Sequence, residues 1–186
     1  MSTTTLIKDT EEKMERSIQV LEEQFSGVRT GKASPALVEN VQVPYYGAPT
    51  RLRDLASIST PEMRLIVITP FDPSVLSEIV RSILGANIGV TPVSDGRVVR
   101  VPVPELSEER RKEMTKVANR MAEEARVAIR NVRRDANDSA KALQKASEIS
   151  EDELSGVLAK IQKATDAAIS RIDASLKAKE AEVMAV

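Results

Sequence analysis

Glycine and proline divide this chain more sharply than any motif does. All nine prolines fall between Pro35 and Pro104, and five of the seven glycines lie between Gly31 and Gly96. Residues 105–155 contain neither, and Gly156 alone interrupts the remainder. A proline inside a helix costs about 3 kcal/mol and a glycine about 1, so the distribution predicts helical flanks around a non-helical middle. The flanks are remote in sequence, yet each carries an apolar stripe that must be covered. One helical domain built from residues 1–30 and 105–186, with a second domain of residues 31–104 inserted, satisfies both. The expected class is α+β, a long antiparallel three-helix bundle with a small β-rich insert.

The first flank places Ile7, Met14, Ile18, Leu21, Phe25 and Val28 at alternating steps of three, four and seven, a heptad-like seam ending where Gly27 and Gly31 permit a turn. A second helix is expected after Ser107, with Glu108 and Glu109 in its positive first turn. Its expected core is Met114, Val117, Met121, Ala125, Ala128, Val132, Ala136, Ala140 and Leu143, with alanines that imply close helix packing. Ser150 and Glu153 form a capping-box pattern. They predict a turn near 147–149 and a third helix whose seam is Leu154, Leu158, Ile161, Ala168, Ile172 and Leu176.

Within the insert, residues 41–43, 65–68 and 98–101 are β-branched runs bounded by Pro, Gly or polar residues. Asp95-Gly96 is a hairpin signal between residues 90–93 and 98–101. Asp72-Pro73 starts a short helix and Gly85 stops it, with Val75, Ile79, Val80 and Ile83 directed at the sheet.

Chemistry is restricted by what is missing. The chain has no histidine and no cysteine, which removes the commonest general base, thiolate nucleophiles and the usual zinc ligands. No phosphate-binding glycine loop or metalloprotease motif occurs, and a Ser–Lys hydrolase has no supporting motif. We therefore expect no enzyme activity, no cofactor and no metal. No apolar run reaches 18 residues, and residues 1–9 lack a signal pattern, so a cytoplasmic protein with no membrane contact is expected.

The net charge is only −1, but it is unevenly spread. Residues 107–146 hold eleven basic and seven acidic side chains, against five and eight in residues 147–186. Helical spacing puts Arg126, Arg130, Arg133 and Lys141 on the side opposite Val117, Val132 and Leu143. Nine of the eleven cations have an acidic residue three or four positions away; Arg130 and Arg133 have only other arginines there. Such like-charge spacing costs a helix about 0.2–0.5 kcal/mol. One explanation is a phosphate-binding face; another is pairing across the bundle with acids of the third helix. With only Phe25, Phe71, Tyr45 and Tyr46 as aromatics, stacking on single-stranded bases is poorly supported, and a structured RNA read by shape fits better.

Five stretches, residues 29–35 (Arg29-Thr30-Gly31-Lys32-Ala33-Ser34-Pro35), 45–47 (Tyr45-Tyr46-Gly47), 55–57, 109–112 and 130–135 (Arg130-Asn131-Val132-Arg133-Arg134-Asp135), together resemble the ribosome recycling factor family. The resemblance runs in order along essentially the whole chain. It implies an L-shaped molecule, with a β/α/β domain attached to the bundle through two linker strands. It also implies binding of the post-termination ribosome through large-subunit ribosomal RNA, and splitting into subunits with elongation factor G and GTP. Hydrolysis would then belong to the partner, and the protein would act as a monomer. The family's arginine-rich face maps onto Arg130, Arg133 and Arg134, joined by Arg126 from the helical spacing, with Arg29 and Lys32 near a hinge at Gly31, Pro102 and Pro104. A helical adaptor or chaperone-like module that holds protein segments is the alternative from another class.

Overall fold

A computed structural model describes residues 2–185. The elements are α1 (Thr3–Ser26), β1 (Gln42–Tyr45), β2 (Ala48–Arg51), α2 (Leu52–Leu55), β3 (Ala56–Glu62), β4 (Leu65–Pro70), α3 (Leu76–Gly85), β5 (Val93–Ser94), β6 (Val99–Pro102), α4 (Glu108–Lys145) and α5 (Glu151–Met184). Two compact units result. One joins the chain up to Val28 with Glu113–Ala181, and the other joins Arg29–Lys112 with the segment from Glu182.

The first unit is made by α1 and most of α4 and α5. Helix α1 buries Leu6, Thr10, Met14, Ile18, Leu21 and Phe25. Leu6 takes the buried place expected of Ile7, which packs at the margin of the same cluster. In α4 the buried stripe is Ala118, Ala122, Ala125, Ile129, Ala136 and Ala140. The expected stripe was therefore rotated by about one residue. Met114, Val117, Met121, Ala128, Val132 and Leu143 are half-buried shoulders, because hydrophobicity ranks Val and Met above Ala whereas close helix contact selects Ala. Thr165 is fully buried in α5, and its hydroxyl donates to the Ile161 carbonyl at 2.8 Å, so no orphan polar group results. Arg171 of α5 grips Glu15 of α1 with two hydrogen bonds of 2.5 and 3.2 Å, which hold the Glu15 carboxyl below its ordinary range.

Both sequence caps form. The Ser107 hydroxyl accepts from the Arg110 amide at 3.2 Å. Ser150 and Glu153 cap reciprocally: the Glu153 carboxylate accepts from the Ser150 amide at 2.8 Å, and the Ser150 hydroxyl accepts from the Glu153 amide at 3.1 Å. Between α4 and α5 the chain turns through Ser147 at φ 58°, with the Glu148 amide donating to the Leu143 carbonyl at 2.9 Å. This is a left-handed helix stop occupied by a non-glycine residue. Ser147→Gly removes the side-chain clash, partly offset by greater unfolded-state entropy. A gain of about 0.5–1 kcal/mol is expected, read as a higher urea midpoint; an unchanged or lower midpoint would contradict the assignment of strain. Gly27, by contrast, is right-handed at φ −83°, so the α1 stop does not exploit glycine.

The second unit holds a two-stranded ribbon, β1–β2, and a four-stranded antiparallel sheet ordered β3-β4-β6-β5. Its core gathers Val38, Val43, Leu52, Ile66, Ile68, Ile79, Ile83, Val99 and Val101. Asp72 caps a single 3-10 turn, Pro73–Val75, before α3, its carboxylate accepting from the Ser74 amide at 2.9 Å. The Asp95-Gly96 turn forms, with Asp95 accepting from the Val98 and Arg97 amides at 2.9 and 3.0 Å, which holds its carboxyl below the ordinary range. Elements absent from the sequence reading are β2, α2 and β3. Strand β3 (Ala-Ser-Ile-Ser-Thr-Pro-Glu) is a sheet edge exposed over most of its length, so nothing requires the apolar alternation that marks a half-buried strand. Tyr46 and Gly47, at φ 49° and 81°, make the ribbon's turn. The Tyr45 hydroxyl donates to Asp72 at 3.3 Å, and burial of that hydroxyl followed by the Asp72 charge raises its pKa.

Candidate nucleic-acid interface

Helix α4 runs for 38 residues without a break, because residues 108–145 contain no Gly or Pro. Arg126, Arg130, Arg133 and Arg134 all project from it, but in different electrostatic settings. Arg126 is committed internally. Its Nε and Nη2 donate to Asp173 of α5 at 2.9 and 2.6 Å, and its Nη1 donates to Glu123 at 3.1 Å. Only 22% of its side chain is exposed. The hydrogen bonds to Asp173 keep Arg126 more firmly protonated than usual, those to Glu123 adding to them. Pairing across the bundle thus explains this arginine.

Arg130 departs from the expectation of an unpaired cation. Its Nη2 donates to Glu123 at 2.6 Å, seven positions back and two turns away, beyond the one-turn spacing of ordinary helical ion pairs. Glu123 serves Arg130 and Arg126 together, and those hydrogen bonds lower its pKa. Arg130 remains 40% exposed, with a carboxylate on one side and solvent on the other.

Arg133 and Arg134 differ from both. Among the described residues neither side chain makes a hydrogen bond or an ion pair. Arg134 is exposed and Arg133 half-buried, and among the described residues the Arg133 guanidinium has no carboxylate to neutralise it. A guanidinium without an internal carboxylate keeps its fork of donors available to an incoming anion.

Arg29 and Lys32 belong to the other unit. The Arg29 guanidinium lies over Gly89, where an added Cβ would sit 3.1 Å from Nη1. Lys32 lines a cavity of about 200 Å³ with Met63, Arg64, Leu106 and Glu182. Gly31, at φ 72°, lies against Leu106. Pro102 is not in a free linker: it ends β6, in register with Leu65. The connection to α4 is then held by the Val103 amide on the Arg64 carbonyl at 2.8 Å and by Arg64–Glu105 at 2.5 Å, leaving Pro104 between these ties.

The residues that sequence reasoning missed are the acids. Asp173 and Glu180 of α5 meet Arg126 and Asn119 of α4, and the available signal was the seven-residue spacing of Asp166, Asp173 and Glu180 against Asn119, Arg126 and Arg133. Among the described residues, no group of His, Cys, Asp or Glu is placed to hold a metal ion. No helix there is long and apolar enough to cross a membrane.

A discontinuous helical bundle with an arginine face and a small inserted sheet defines the class as a binding factor. The ribosome recycling factor family model matches residues 21–184. The ribosome-recycling factors of Geobacillus sp. strain WCH70 and of Bacillus subtilis strain 168 are each 49% identical over 181 residues, covering 97% of this chain and 98% of theirs. A solution structure of ribosome recycling factor matches with a TM-score of 0.78 at 37% identity, covering 100% of this chain and 99% of its own. A second structural match, at TM-score 0.69 and 38% identity over the full length of both chains, is the Thermus thermophilus ribosome recycling factor, described with Escherichia coli elongation factor G bound to the E. coli post-termination complex. The chain belongs to the ribosome recycling factor family.

Proposed function

We propose that this protein binds the post-termination ribosome through large-subunit ribosomal RNA and, with elongation factor G and GTP, splits it into subunits. The observation that carries the RNA contact is Arg133, half-buried and without an anionic partner among the described residues. Arg134 and the exposed flank of Arg130 extend the same face, while Arg126 shapes it by anchoring α4 to α5. Arg29 and Lys32, in the other unit, are secondary phosphate contacts near the hinge. Membership of the family and the relative described with elongation factor G on a post-termination complex support the partner and the reaction. The chain contributes position and charge, the partner supplies hydrolysis, and the protein works in the cytoplasm.

The test is Arg133→Ala. Large-subunit binding should weaken, and log affinity against log salt should become shallower by about 0.7–0.9, the share of one phosphate. Helical circular dichroism should be unchanged, and stability should fall by no more than about 1 kcal/mol, the packing of a half-buried stem. A salt-independent affinity would instead favour protein–protein docking, the adaptor reading.

A further inference from the structure

Helices α4 and α5 are crossed by a polar ladder with a seven-residue step. Asn119 donates to Glu180 at 2.7 Å. Seven residues along α4 and seven back along α5, Arg126 donates to Asp173 at 2.6 Å. Seven residues are nearly two turns, so each step returns to the same face. One further step pairs Arg133 with Asp166. Repetition of the Arg126–Asp173 bond is therefore the expected outcome at this rung, and it does not occur: among the described residues Arg133 has no ion pair within 4.0 Å. Asp166 is engaged from within its own helix, where Gln162 Nε2 donates to its Oδ1 at 2.8 Å. One turn along α4 from Arg133, opposite Gln162 by the same register, the Asn137 side-chain oxygen is buried with no hydrogen-bond partner among the described residues. The local bonding thus leaves a cation and an acceptor unsatisfied at the rung where Gln162 holds the carboxylate.

We infer that Gln162 is a positioning residue: by holding Asp166 along α5 it keeps Arg133 un-neutralised and open to phosphate. This rests on the reading of Arg133 as an RNA contact. Without the Gln162 amide, Asp166 turns to Arg133 and completes the ladder, so RNA must compete with an internal carboxylate. Gln162 itself need not touch RNA.

The experiment measures affinity for large ribosomal subunits at one fixed salt concentration with the full chain. Gln162→Ala should weaken binding about two- to fivefold, the value of a surface ion pair that RNA must displace. In an Arg133→Ala background the same substitution should change nothing. The Arg133 Nε–H resonance should shift in Gln162→Ala and return in Gln162→Ala/Asp166→Asn, a readout that loss of packing alone would not produce. If Arg133→Ala weakens binding but Gln162→Ala does not, the positioning role is wrong and the RNA reading stands. If Arg133→Ala binds like the unaltered protein, the RNA reading fails. An Arg133 resonance indifferent to Gln162→Ala overturns the inference whatever the affinities.

Discussion

Replacing residues 34–103 with a short Gly/Ser linker is expected to leave a folded three-helix bundle that still pellets with large subunits but no longer splits ribosomes with elongation factor G and GTP. The geometry favours such a replacement because the two ends of the excised segment are adjacent. The Ala33 amide donates to the Met63 carbonyl at 2.6 Å, and the Val103 amide donates to the carbonyl of the next residue, Arg64, at 2.8 Å. Closing so small a gap needs few residues, and loop-closure entropy changes slowly with length. Leu21, Ile129, Ile161 and Ile172, each about 1% exposed or less, all lie outside the segment. Binding then tests the bundle, and splitting tests the insert as the element that receives the partner's push. Splitting at the rate of the intact protein would show the insert to be dispensable. Failure to fold would show that the helices need it.

Ile129→Ala and Ile68→Ala should each cost about 2–5 kcal/mol, but in different places. Both side chains are fully buried, Ile129 in α4 and Ile68 in β4. Ile129 is the largest buried side chain on a stripe otherwise made of alanine, so its removal takes away most of the apolar volume that this face of α4 contributes. Its loss should fall near the upper end of the range and appear in the helical signal during urea unfolding. Ile68→Ala should instead raise amide exchange across β4 and β6, with protection in α4 and α5 little changed. Equal loss of protection in both units from either substitution would mean that they unfold as one.

The helical elements were legible because their signals are local. The Ser107 and Ser150 caps formed as their sequence patterns required, with both capping-box bonds present at Ser150. The buried face of α4 was less legible, since alanines at 118 and 122 carry little hydrophobic signal and owe their burial to the neighbouring helices. Strand β3 escaped notice because it lies at the sheet edge with a polar composition. The lack of an acid within one turn agrees with the unpaired side chain of Arg133, but it cannot see the bond from Arg130 to Glu123 two turns away. Arg126 shows the opposite limit: its bond to Asp173 lies across helices, and no spacing within α4 reveals it.

The prolines of the small unit bear on how copies of this protein behave toward one another. Its sheet has two open margins, β3 and β5, and a separate ribbon, β1–β2. Pro61 lies within β3, Pro92 immediately precedes the two-residue β5, and Pro44 faces Pro49 across the ribbon. A proline has no amide hydrogen to offer an incoming strand, and two residues are too few to template one. The residues that exclude helix from the middle of the chain therefore also deprive its strands of a continuous row of donors, which protects a concentrated solution against self-association by strand addition.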